Sequence, residues 1–93
     1  MTTAVQDITE APVTREDFVL GVVLLSGFRM SGDGWLYPQG QKPLVRIQVR
    51  SGQYAMERRR TPDSVWMQIV TASVHEFDQP AFEAWVDSWP LTA

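Results

Sequence analysis

Cysteine is absent, and His75 is the single histidine in 93 residues. Without thiols the chain has no disulfide staple, no thiolate nucleophile and no Cys-containing zinc site, and one histidine leaves no pair for a histidine-rich metal site. No stretch approaches the roughly 18 consecutive apolar residues of a membrane span, so no membrane partner is expected. Residues 1–13 lack the basic start and apolar run of a secretory signal, which makes the expected location cytoplasmic. Internal repeats are missing too. These absences remove the usual equipment of most enzyme classes, and the chain reads as non-enzymatic, with no metal and no cofactor.

What is present suffices for one core. At 10.6 kDa, with 44% apolar and 11% aromatic residues, the chain can bury a single domain's interior but not two. Residues 1–13, Met1 to Val13, mix Thr, Ala, Asp, Glu and Pro without an apolar period and predict a flexible arm. A single domain is expected over 14–93.

Thr14 followed by Arg15, Glu16 and Asp17 places a hydroxyl at a helix N-cap and acids in the first turn. Ser26-Gly27-Phe28 supplies the stop, with Gly27 able to take the left-handed conformation and Phe28 to fold back in a Schellman ending. Between them, Phe18, Val19, Leu20, Val22, Val23, Leu24 and Leu25 surround the helix. The sheet is expected to cover one side of it, and the arm or a second helix the rest. Ser31-Gly32-Asp33-Gly34 reads as a turn and Trp35-Leu36-Tyr37 as a short strand ended by Pro38.

From Val45 the period becomes two. Val45, Ile47 and Val49 alternate with Arg46, Gln48 and Arg50, the pattern of a strand with one wet face. Ser51-Gly52 is a two-residue hairpin turn. It sets Arg50 opposite Gln53, Val49 opposite Tyr54, Ile47 opposite Met56 and Arg46 opposite Glu57. A turn at Thr61-Pro62-Asp63-Ser64 returns the chain, with Arg60 expected opposite Val65, Arg58 opposite Met67 and Met56 opposite Ile69. The apolar face would then hold Val45, Ile47, Val49, Tyr54, Met56, Met67 and Ile69. Asp78 and Pro80 open a last helix whose stripe is Phe82, Trp85 and Trp89, with Glu83 and Asp87 outward and Pro90 as the stop. The predicted fold is α+β: a single two-layer α-β-β-β-β-α domain, an antiparallel meander with both helices packed on one face.

The net charge of −3 conceals segregation: residues 1–17 carry −3, residues 18–62 carry +5 and residues 63–93 carry −5. The basic section is the sheet, and the acidic sections are the arm and the last helix, so a strongly dipolar molecule is expected.

The foremost candidate for binding is Arg58-Arg59-Arg60 together with Arg46 and Arg50, because guanidinium groups on an open sheet hold carboxylates or phosphates bidentately. Alternation sends Arg58 to the face opposite Arg59, where its stem covers the core and its head reaches water. Trp66 falls on the polar face, placed to stack on a base or on Arg59. The candidate surface is Arg46, Gln48, Arg50, Glu57, Arg59 and Trp66. Trp85 and Trp89 read as core, and Trp35 is undecided between core and surface. His75-Glu76 begins like a zinc-protease motif, but Gln79 stands where the second histidine belongs. The glycines of residues 27–34 are not followed by the Lys-Ser/Thr of a phosphate loop.

An α-β-β-β-α order with helices on one face resembles the double-stranded-RNA-binding domain. That family holds phosphates with a lysine-rich start to its second helix, whereas Asp78-Gln79-Pro80-Ala81-Phe82-Glu83 is acidic here, so its activity is not carried over. In size and composition the chain is also similar to the small cysteine-free inhibitors that phages make against host machinery, anti-CRISPR proteins among them. The expectation is a protein-binding module acting as a stoichiometric blocker of a host complex. The alternatives are a nucleic-acid-binding protein using Arg46, Arg50, Arg59 and Trp66, and a homodimeric structural protein with Val19, Val23 or the Trp35 strand as an edge in the contact.

Overall fold

The computed structural model describes residues 14–93; the expected arm over 1–13 lies outside the described residues. Helix α1 (Arg15–Leu25) starts as its sequence dictates, the Thr14 hydroxyl accepting the Asp17 N–H at 3.0 Å. Gly27 ends it at φ +100°, a conformation that favours glycine. Val19, Val22 and Val23 face the core. Arg15 ties the helix to the far end of the chain by donating Nε to Val74 O at 3.0 Å and Nη2 to Phe77 O at 2.8 Å.

The described residues then form five antiparallel strands whose spatial order is their chain order: β1 (Phe28–Met30), β2 (Leu36–Pro38), β3 (Val45–Arg50), β4 (Gln53–Arg58) and β5 (Met67–Ser73). A 3₁₀ turn (Val74–Glu76) leads into helix α2 (Gln79–Ser88). The class is α+β, a meander with both helices on one face, with one strand more than expected. Phe28, expected to fold back at the end of α1, instead opens a strand with Arg29 and Met30 that pairs with β2, Phe28 opposite Pro38 and Met30 opposite Leu36. The α-β-β-β-α likeness to the RNA-binding domain accordingly stops short, since the sheet has five strands.

Ser51 and Gly52 turn the β3–β4 hairpin at φ +54° and +75°, the two left-handed residues that match strand twist. Every expected pair across it is found: Arg46–Glu57, Ile47–Met56, Val49–Tyr54 and Arg50–Gln53. Between β4 and β5 the register holds at Arg58–Met67 and Glu57–Gln68, then shifts, so that Met56 faces Val70 and not Ile69. Ile69 is the extra residue of a β-bulge. The expected inner face is corrected accordingly: Val70 and Ala72 pack against the core, while Met67 and Ile69 are exposed. Arg60 and Val65 lie outside the strands and do not pair.

The core is the inner sheet face closed by the two helices. Phe28, Leu36, Val45, Ile47, Val19 and Val23 are almost wholly buried, and each such side chain contributes about 1.5–3 kcal/mol of transfer free energy. Phe82 of α2 sits 6.2 Å from the Phe28 ring and 5.5 Å from Phe77, which in turn meets Tyr54 edge-on at 5.4 Å. Asp78 caps α2, its Oδ1 accepting the Ala81 N–H at 3.1 Å, and Glu83 and Asp87 point outward as their spacing predicts. Burial of Val19 and Val23, and the position of β2 between β1 and β3, remove all three expected homodimer contacts. The outer residues of α1 stay uncovered among the described residues, Leu25 at 91% exposure.

Candidate functional site

Among the described residues no helix covers the outer face of the sheet, and the period of two delivers a line of polar and aromatic side chains to it. Arg46 leaves β3 on this side and lies between two indoles, its guanidinium carbon 4.0 Å from the Trp35 centroid and 4.5 Å from that of Trp66. Arg59, just past β4, stacks on Trp66 at 4.1 Å. The result is a ladder, Trp35–Arg46–Trp66–Arg59, in which each cation sits over the negative face of a ring.

Hydrogen bonds fix the rungs. Glu57, directly opposite Arg46, accepts from its Nε at 2.8 Å and lies 2.6 Å from its Nη2, with both side chains only about one-fifth exposed (19% and 20%). Arg59 donates Nε to Pro43 O at 2.9 Å. Partial burial pulls the Arg46 pKa down, but the Tyr37 hydroxyl and Glu57 outweigh it, so the guanidinium is held above its ordinary value. The turn before β2 is locked by Asp33, whose two carboxylate oxygens accept from Trp35 N at 3.0 Å and Tyr37 OH at 2.7 Å. Those two bonds, Tyr37 first, hold the Asp33 carboxyl below its ordinary range. Tyr37 is shifted up, by burial first and then by the carboxylate it faces.

Three of the expected site residues, Arg46, Arg59 and Trp66, meet in the ladder, and a fourth, Glu57, pairs with Arg46. Gln48 and Arg50 share the face but stand nearer the hairpin turn, lining a separate cleft of about 260 Å³ with Gln53, Ala55 and Thr71. The Arg58-Arg59-Arg60 run divides as alternation requires: Arg58 turns to the helix side and stacks on Trp89 at 4.2 Å, while Arg59 joins the ladder. Trp35 is the ladder residue left undecided by the sequence. Strand alternation puts Trp35 and Tyr37 on one face and Leu36 on the other, and the burial of Leu36 sends both aromatics to the outer face.

His75 and Glu76 are exposed in the 3₁₀ turn, and the Asp78 carboxylate is committed to capping α2. Among the described residues no group of three or more His, Asp or Glu side chains is placed to hold a metal ion, and no helix is long and apolar enough to cross a membrane. Comparison of the chain with protein-family models, with curated proteins and with solved structures gives no match, which leaves the geometry of the outer face as the guide to function.

Proposed function

We propose that this chain is a non-enzymatic protein-binding module whose outer sheet face engages an acidic surface of a partner protein. The observation that carries the reading is the Trp35–Arg46–Trp66–Arg59 ladder. Tryptophan and arginine are the residues most enriched at binding hot spots. Here their rotamers are already set by stacking and by hydrogen bonds to Glu57 and Pro43, so little side-chain freedom remains to be lost on association. Arg29 and Arg50 extend the same face with further positive charge, and the acidic α2 lies on the opposite side of the sheet, a layout that orients an acidic partner toward the ladder.

Such a module acts by occupancy. Its mode of action would be stoichiometric blockade of a cytoplasmic host complex, in the manner of the phage inhibitors, anti-CRISPR proteins included, that it is similar to in size and composition. A nucleic-acid ligand draws less support. Both indoles already carry guanidinium groups where a base would stack.

The test is affinity capture from the source organism, with wild type and the Arg59→Ala/Trp66→Ala variant immobilised in parallel and nuclease added to half of each sample. Wild type retains a nuclease-resistant protein near one-to-one stoichiometry, and the double variant retains at least tenfold less. Equal retention by the variant, or loss of the bound material to nuclease, overturns the reading.

A further inference from the structure

Among the described residues, strand β5 lies at the edge of the sheet and pairs only with β4. The β3–β4 hairpin determines which of its backbone groups are free. Arg50 and Gln53 flank a two-residue turn and so form a hydrogen-bonded pair, after which Tyr54 and Met56 must direct their N–H and C=O toward β5. Their partners Ala72 and Val70 face back toward β4, a phase that continues where Val74 donates to Gly52 O at 3.0 Å. The N–H and C=O of Thr71 and Ser73 therefore point away from the sheet.

Nothing in the composition of β5 protects this edge. Met67–Ser73 contains no charge and no proline, the residues with which edge strands are ordinarily guarded. The bulge at Ile69 bends the strand and confines the flat free stretch to Val70–Ser73. Apolar side chains continue along the same rim, with Val65 at 79% and Met67 at 59% exposure.

The two ends of β5 carry opposite charge. Beside Met67 is a cleft of about 190 Å³ lined by Arg58, Arg59, Arg60, Met67, Gln68 and Ile69. Beyond Ser73 come the exposed acids Glu76 and Asp78. A two-fold axis through Thr71 sets the acidic end of one copy against the arginine cleft of the other, twice over. We propose that the occupant of this edge is a second copy of the chain, β5 pairing antiparallel with β5 about Thr71 so that one sheet runs through both copies. Thr71 then bonds to its own counterpart, and Val70 stands opposite Ala72 of the second copy, each pair on one face of the sheet as strand alternation demands. Glu76 of the second copy reaches the arginine cleft. The uncovered face of α1 lacks this complementarity, having acids in its first turn and no base in its last.

Sedimentation equilibrium of the full chain from about 1 µM to about 1 mM tests the proposal. Wild type shows a monomer–dimer equilibrium that weakens with added salt. Thr71→Pro removes an N–H that no described strand of the monomer uses, and Thr71→Lys places a charge on the edge; each weakens dimerisation at least tenfold while the melting temperature stays near wild type. Should the proline variant fail to fold, the lysine variant decides. Glu76→Arg weakens association, and adding Arg60→Glu to it restores part of the loss. A wild type monomeric throughout the range, a Thr71→Lys variant that dimerises as wild type does, or a dimer abolished by Leu25→Gln in place of the β5 variants overturns the proposal.

Discussion

Arg46 and Glu57 face each other across the β3–β4 pair with Nη2 and Oε1 2.6 Å apart, and the same guanidinium is clasped between Trp35 and Trp66. One side chain thus joins an ion pair to an aromatic stack, and its loss is felt in both. Arg46→Ala is expected to cost about 2 kcal/mol, combining a charged hydrogen bond with stacking on the rings. A double-mutant cycle with Glu57→Ala, read by urea unfolding, should give a coupling of about 1 kcal/mol, and additive effects would show the pair to be idle.

The Asp33 contacts predict a pH dependence with a definite sign. Its carboxyl titrates lower in the folded chain than in the unfolded one, so its contribution is complete above the ordinary carboxylate range and is lost as pH falls through the folded value. Tyr37, shifted upward, contributes fully below its ordinary value and loses that contribution as pH rises through its folded value. Melting curves should show the acid-side loss in wild type and a shallower one in Asp33→Asn. An identical acid limb in the two proteins contradicts the assignment.

At the hairpin, Gly52 sits at φ +75° and donates its N–H to Glu16 Oε1 at 2.6 Å. Gly52→Ala should cost about 1 kcal/mol from left-handed strain, whereas Ser51→Asn, at φ +54°, suits a position that asparagine tolerates better and should be neutral or stabilising. Chemical denaturation of the two variants checks the order.

The two faces of α1 should respond differently. Val23 is fully buried, and Val23→Ala is expected to cost about 2 kcal/mol. Leu25, on the uncovered face, should tolerate Leu25→Gln within about 0.5 kcal/mol. Comparable losses at both positions, measured by urea unfolding, would mean that the outer face is covered in solution.

Much of this architecture is readable from the chain where two local signals agree. Between Val45 and Glu57 a two-residue turn and strict alternation fix the same register, and Arg46 therefore meets Glu57 as expected. Past Met56 there is one signal only. The bulge inserts Ile69 without any mark in composition, so Met67 and Ile69 read as core although Val70 and Ala72 fill that role. Phe28–Met30 is too short to show a period, and the strong stop at Gly27 masks it. Val74 and Phe77 enter the core from a 3₁₀ turn and a loop, where no periodicity exists to announce them. The ladder itself was half visible. Arg46, Glu57, Arg59 and Trp66 follow from strand phase, but contact between Trp35 and Arg46 depends on β2 lying beside β3, a neighbour relation set by tertiary packing.

The most direct measurement of the central claim is hydroxyl-radical footprinting of the captured complex against the free protein, read residue by residue by mass spectrometry. Engagement of the outer sheet face should strongly protect Trp35, Trp66 and Tyr37 and leave Leu24 and Leu25 of α1 unchanged. Protection confined to α1, with the tryptophans of the ladder as reactive as before, would contradict it.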